Sequence, residues 1–415
     1  MARRVVITGV GVLAPGGIGT KAFWSLLSEG RTATRGITLF DASAFRSRIA
    51  AEADFDPRLH GLTEPDTRRL DRAAQFAVVT TREALADSGL DLTPADPHRT
   101  GVSLGTATGA ATSLDTHYRT LTTPGTTPGP HLHTHTVPSS MAAEIAWTAG
   151  AEGPAALIST GCTAGLDAVA HAADLIRDNT ADIMITGATD APITPAVLAS
   201  FDAIKATSPR NDDPATASRP FDITRNGCVL GEGAAMFVLE ELGSARRRGA
   251  RIYAEIAGHA SRCNAHHMTG LRPDGAEMAQ AVTAALDEAR LTPAGLHYIN
   301  AHGSGTKQND RHETTALKLA LGHHARTTPV SSVKSMIGHS LGAIGSIEIA
   351  ACLLAMEHHT VPPTANLHTP DPECDLDYVP LTARAHRTDT VLTVGSGFGG
   401  FQSAMVLARP DRSPE

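Results

Sequence analysis

Three short stretches hold residues whose types and spacing could do covalent chemistry. The first is Ser159-Thr160-Gly161-Cys162-Thr163-Ala164-Gly165. A short apolar run, Ala155 to Ser159, delivers the cysteine to a glycine-flanked turn, and Leu166, Val169, Ala173 and Ile176 then recur at helical spacing. A strand that turns sharply into a helix at a nucleophile exposes the reactive atom at the top of a sheet. At a helix N-terminus the macrodipole and free N–H groups favour thiolate, so a lowered Cys162 pKa is expected. The same N–H groups can bind the oxyanion of a thioester carbonyl. The alternative for Cys162 is a small core cysteine, kept for its volume.

The second stretch is Asn300-Ala301-His302-Gly303-Ser304-Gly305-Thr306. His302 follows a strand-like run from His297 to Ala301, and the small polar residues after it leave room for a thin substrate and offer hydroxyls to bind it. The third runs from Val333 to Ala343, with Lys334 and His339 five residues apart around Gly338. The chain has 20 histidines, and most polar side chains lie outside. Strand-end placement and flanking glycines set His302 and His339 apart.

These residues need a frame. Strand-like runs at Arg4 to Gly9, Gly101 to Leu104, Asp182 to Gly187, Ala234 to Leu239, Ile252 to Ala257 and Val391 to Val394 alternate with helical ones. The helical runs are Thr20 to Glu29 (Phe23, Leu26 and Leu27 on one face), Asp71 to Ser88 with Gly89 as its stop, Gly275 to Ala289 and Ser346 to Met356. Such alternation implies an α/β architecture with sheets covered by helices. No Pro/Ser-rich linker divides the chain. One compact unit of two similar halves is expected, residues 1–250 and 251–415, although residue identity does not reveal a repeat. Leu121 to Pro138 and Thr207 to Asp222 read as loops. Gly9 to Ala14 formally fits a dinucleotide fingerprint, but Pro15, Gly16 and Gly17 interrupt the helix that would receive a pyrophosphate. The glycine string at 395 to 400 has no βαβ unit after it. A nicotinamide enzyme is disfavoured.

Composition narrows the class further. The 415 residues carry a formal net charge of −8, without the basic excess of a general nucleic-acid binder. Arg246 to Arg248 reads as a solvated helix end. Five cysteines, odd in number and without a CxxC pair, fit a reducing compartment and give neither a disulfide framework nor zinc spacing. Met1 to Gly9 lacks a signal-peptide core, and no apolar run reaches the roughly 20 residues that span a bilayer. A cytoplasmic protein, without metal, membrane or nucleic acid, is expected.

Taken together, the motifs resemble those of the β-ketoacyl synthases, collinearly over almost the whole chain. The resemblance implies the thiolase-like fold, two similar halves in a layered α-β-α-β-α sandwich. The finer resemblance is to the ketosynthase alpha subunit of bacterial type II polyketide synthases, carried by Gly16 to Trp24, Gly30 to Thr38, Phe40-Asp41-Ala42-Ser43 and Ser304 to Thr314. It implies decarboxylative Claisen condensation of a malonyl thioester with a chain held on Cys162. His302 and His339 match the two active-site histidines, Lys334 the family lysine, and Glu313 the acidic residue associated with it, as a partly buried ion pair. Phe398 matches the residue whose N–H joins that of Cys162 in the oxyanion hole. Ser304 and Thr306, and more weakly Thr269, match hydroxyl residues that bind a phosphopantetheine arm delivered on an acyl carrier protein. The resemblance implies no bound cofactor.

The resemblance also implies a heterodimer with a chain-length factor, which is similar to the alpha subunit but lacks the cysteine. Fatty-acid ketosynthases usually carry phenylalanine where Ser396 stands, so aromatic gating of the acyl pocket is not expected here. Arg68, Arg69, Arg72 and Arg210 are candidates for docking an acidic carrier protein, with a solvated helix face as the alternative for the first three. Three rival readings stay open: a homodimeric fatty-acid synthase, a polyene-forming type II ketosynthase, and a silent scaffold subunit.

Overall fold

The structure, a computed structural model, describes residues 3–93 and 95–411. In the first half the main strands are Val5–Ala14 (β1), Thr100–Gly105 (β2), Ala155–Ile158 (β3), Ile183–Asp190 (β4) and Gly233–Glu241 (β5). In the second they are Ala254–Cys263 (β6), Tyr298–Asn300 (β7), Val330–Ser331 (β8), Thr390–Gly397 (β9) and Phe401–Ala408 (β10). They hydrogen-bond in the order β3-β2-β4-β5-β1-β6-β10-β9-β7-β8. Numbered within its own half and read from its outer edge, each half therefore runs 3-2-4-5-1. In both, the first three strands of that order are parallel and the remaining pairings antiparallel. The halves meet where β1 pairs with β6 through Val6–Glu255 and Ile7–Ala254. The repeat that residue identity hides is explicit in the topology.

β1 is buried at all ten positions, as a strand covered on both faces must be, and it runs on to Ala14, five residues beyond the expected end. Gly9 and Gly11 lie inside it. A Cβ at Gly9 would fall 2.2 Å from the Ala84 carbonyl oxygen and one at Gly11 2.0 Å from that of Thr80. Both carbonyls belong to the helix Arg72–Ser88 (α1), so these glycines let a helix lie directly on the strand. They make no phosphate-binding turn.

α1 starts where Asp71 accepts the Ala73 N–H and stops at Gly89, whose φ of 59° only glycine adopts readily. It packs on β1 and β5. Ala164–Arg177 (α2) follows the cysteine turn, Ala276–Glu288 (α3) and Lys307–Leu321 (α4) pack together over the second half, and Ile344–His358 (α5) contacts α2, β5 and β9. α5 is buried from Ile344 to Met356. A helix without a polar face belongs between layers, which places α2 and α5 at the centre and gives the thiolase-like sandwich. By length and composition Leu341–His358 could cross a membrane, contrary to the expectation that no run qualified, but 89% of it is buried inside the fold.

Other departures are local. The 121–138 segment is not all loop: a helix, Ala111–Thr122, enters it and Leu132–Thr136 makes a helical turn. That turn is held by buried His135, whose Nε2–H donates to the Arg69 carbonyl at 3.0 Å. Gly395 to Gly397, beyond the strand expected at Val391 to Val394, completes β9. Arg248 is not simply solvated, since it pairs with buried Glu240 at 2.6 Å.

Candidate active site

In an open α/β sheet, functional groups gather beyond the carboxyl ends of the parallel strands. Cys162 follows β3, His302 follows β7, Lys334 and His339 follow β8, and Phe398 follows β9. Cys162 sits in a 3-10 turn, Gly161–Thr163, that continues into α2, and its side chain is buried. The Phe398 N–H is near enough to its sulfur to favour the thiolate. Gly397 lies against the same turn: a Cβ there would be 3.2 Å from the Thr160 carbonyl oxygen and 3.3 Å from the Cys162 nitrogen. A side chain there would crowd the Cys162 amide, so the 397–398 peptide comes this close most easily with glycine.

Burial pushes the Cys162 thiol up to about 12, with Lys334 and the Phe398 N–H pulling the other way. The lowered thiol expected from the helix N-terminus is therefore not what the free site provides, because desolvation of the anion outweighs it.

The His302 and His339 rings lie 5.2 Å apart, edge to face at 82°. Burial pushes both well below the ordinary histidine pKa, and nearby Lys334 pushes the same way. Both are neutral imidazoles at pH 7. Lys334 Nζ donates to the His302 carbonyl and to Glu348, each at 2.5 Å. The pairing expected of Lys334 with Glu313 is thus replaced by Lys334–Glu348. Glu313 instead accepts the N–H groups of His302 (2.6 Å) and Gly303 (2.8 Å), fixing the loop backbone. Burial pushes Glu313 up to about 8 and Glu348 to about 7, against those bonds and the Lys334 charge. Glu348 was missed in the sequence. Its signal was a lone carboxylate inside the apolar run 344–356, since a buried charge has to be paired.

One cavity of about 330 Å³ is lined by Cys162, His302, His339, Ser304, Thr306, Thr269, Ser396 and Phe398 together. Ser304 and Thr306 hydroxyls lie 3.0 Å apart, and Thr306 also caps α4. Phe398 is 41% exposed and its ring stacks on Phe201 at 5.8 Å. Cys228, Lys205 and Lys307 line the cavity too; Lys307 falls in the Ser304 to Thr314 stretch without an assigned role, and nothing around Cys228 or Lys205 singled them out.

The arginine cluster lies elsewhere, as none of its members lines the cavity. Arg68 is exposed beside Glu64, and Arg69 pairs with Glu144 and Asp66. Arg72 is not a surface cation: it forms an ion pair at 2.6 Å with Glu232, whose side chain is 1% exposed, and lies over the Phe76 ring. Arg210 is half-buried and does not line the cavity either. Among the described residues no cluster of His, Cys, Asp or Glu is arranged to hold a metal.

Comparison with known proteins places this geometry. Residues 2–245 match the beta-ketoacyl synthase N-terminal domain family and residues 253–368 its C-terminal domain family. The chain is 64% identical over 415 residues to the tetracenomycin polyketide synthase ketoacyl synthase alpha subunit of Streptomyces glaucescens, covering 98% of this chain and 97% of that one. It is 42% identical over 409 residues to the 3-oxoacyl-[acyl-carrier-protein] synthase 2 of Coxiella burnetii, covering 98% and 99%. A solved type II PKS ketosynthase, bound to the hexaketide and in complex with its acyl-carrier protein, superposes with a TM-score of 0.90 at 37% identity over 99% of this chain and 100% of that one. The ishigamide ketosynthase/chain length factor does so with 0.92 at 34%, again over 99% and 100%. With both domain families matched in order and alpha-subunit relatives aligned end to end, the chain belongs to the beta-ketoacyl synthase family of transferases.

Proposed function

We propose that this chain is the catalytic ketosynthase subunit of a type II polyketide synthase, paired with a chain-length factor and served by an acyl carrier protein in the cytoplasm. The observation that carries the reading is the meeting, in one cavity, of the Cys162 sulfur, Phe398 and two neutral imidazoles. The halves divide at residues 250 and 251, between the helix Leu242–Arg247 and β6.

The chemistry runs in two stages. Cys162 attacks the thioester of an incoming chain on a phosphopantetheine arm held by Ser304, Thr306 and Thr269. The Cys162 and Phe398 N–H groups receive the oxyanion. The pantetheine sulfur leaves with the proton that Cys162 gives up. A malonyl thioester then enters and loses CO2. The N–H groups of His302 and His339 donate to the enolate oxygen, each worth on the order of 3 kcal/mol. The enolate carbon attacks the Cys162 thioester, the carbon–sulfur bond breaks, and the chain returns to the carrier two carbons longer. Lys334, Glu348 and Glu313 hold the histidine loops.

Two variants test this division. Cys162→Ala should abolish acyl transfer and retain malonyl decarboxylation. His302→Ala should depress decarboxylation strongly and retain some acylation of Cys162. Equal loss of both activities in both variants would reject it. A stable, fully active homodimer making saturated chains would favour the fatty-acid reading.

A further inference from the structure

Asp167, in the first turn of α2, has no part in the chemistry above. Its carboxylate collects hydroxyls from both halves of the chain. Thr160 and Thr163, which bracket Cys162, donate to Oδ2 at 2.5 and 2.8 Å. Ser403 donates to Oδ1 at 2.6 Å. Short O–H donation to an ionised carboxylate is among the stronger hydrogen bonds in proteins. Ser403 lies on β10, opposite Gly395 of β9. β9 is the strand that ends at Gly397 and presents Phe398.

One oxygen of Asp167 thus grips the turn carrying the Cys162 N–H. The other grips the strand pair carrying the Phe398 N–H. The segment between, Gly395-Ser396-Gly397-Phe398-Gly399-Gly400, is mostly glycine and has few side chains to hold its place. Donors at a reacting centre must be held to within about 0.5 Å. We infer that Asp167 is a positioning residue that sets the spacing of the two N–H donors around the Cys162 sulfur, acting through Thr160 and Thr163 on one side and Ser403 on the other. The inference rests on the proposed oxyanion role of those two donors. His302 is held by a separate network, through Lys334, Glu348 and Glu313, and His339 by backbone bonds to Val229 and Gly231. Loss of Asp167 should therefore separate the two half-reactions.

The test uses Asp167→Ala, Asp167→Asn and Ser403→Ala in the full-length chain assembled as it is purified. Acetyl uptake by Cys162 from acetyl-N-acetylcysteamine is followed by protein mass, and CO2 release from malonyl-N-acetylcysteamine is followed in parallel. Displacing a reacting group by about 1 Å costs on the order of 100-fold, so Asp167→Ala should slow acetyl uptake by about 10- to 100-fold and leave CO2 release near that of the unsubstituted chain. Asp167→Asn keeps an acceptor oxygen and should fall between. Ser403→Ala removes a single hydroxyl, which keeps the test open if Asp167→Ala folds poorly, and it should slow acetyl uptake severalfold with CO2 release retained. Normal acetyl uptake in Asp167→Ala and Ser403→Ala, or equal loss of both reactions in every variant, would overturn the role of Asp167. Failure of the unsubstituted chain to take up acetyl would instead overturn the reading of the site.

Discussion

Replacing Lys334 by methionine keeps the length of the side chain and deletes its charge. Lys334 and Glu348 are 1% and 0% exposed and their atoms are 2.5 Å apart, so the change strands a carboxyl group in the core. Breaking a buried pair by removing one partner costs about 3–5 kcal/mol. Protonation of Glu348 limits the loss. Burial already holds its pKa at about 7 against an ordinary 4.5, with Lys334 opposing; without Lys334 it climbs further. An acid whose pKa is raised by folding binds more protons when folded, so its penalty is absent below 4.5 and grows as pH rises towards the folded value. Each unit is worth about 1.4 kcal/mol. Lys334→Met should thus be destabilised more at pH 8 than at pH 6. Adding Glu348→Leu removes the stranded group, and a buried pair exchanged for apolar residues is often neutral or better. The double variant should be more stable than Lys334→Met. Malonyl decarboxylation should stay low in both, because the His302 carbonyl has lost its donor and the imidazoles their neighbouring charge. Urea denaturation at the two pH values, with CO2 release alongside, measures this. Losses that simply add would show that the pair is not coupled. Normal CO2 release in the double variant would remove Lys334 from the site.

Three further outcomes can be checked. Alkylation of Cys162 by iodoacetamide should rise about tenfold per pH unit between about pH 7 and 9, since only the thiolate reacts; a plateau below about pH 8 would mean that the thiolate is already formed in the free enzyme. Gly397→Ala should lower acyl transfer severalfold with little change in melting temperature, because its Cβ would press on the Thr160 carbonyl and the Cys162 amide; unchanged acyl transfer would refute that close approach. Arg72→Ala should cost about 3 kcal/mol through unpaired Glu232 and leave the carrier-protein KM unchanged, whereas Arg68→Glu should raise that KM; the opposite pattern would exchange their roles.

Much of this site was legible because its residues sit at strand ends marked by glycine. Cys162 and His302 follow β3 and β7 within a few residues, and His339 follows the short turn after β8 at Gly338; such junctions are written in local composition. Ser304, Thr306, Thr269 and Phe398 came from the resemblance and line the same cavity. Long-range partners were not legible. Glu313 lies beside the right loop in sequence, but the carboxylate that meets Lys334 is Glu348, on a helix whose apolar run reads as plain core. Arg72 looks like part of a basic helix face until Glu232, 160 positions away, claims it. The Cys162 pKa was misjudged because a helix N-terminus can be read from sequence whereas desolvation cannot. In the fold, the ends of β1 and β9 were missed because glycine reads as a break, although inside these strands it makes way for a neighbouring backbone.

The matching strand orders of the two halves have a consequence for how such a chain can change. The sulfur hangs from one copy of the motif and the imidazoles from the other, so the copies have taken separate duties while keeping a common skeleton. A sister polypeptide that loses its thiol forfeits one duty and keeps the skeleton.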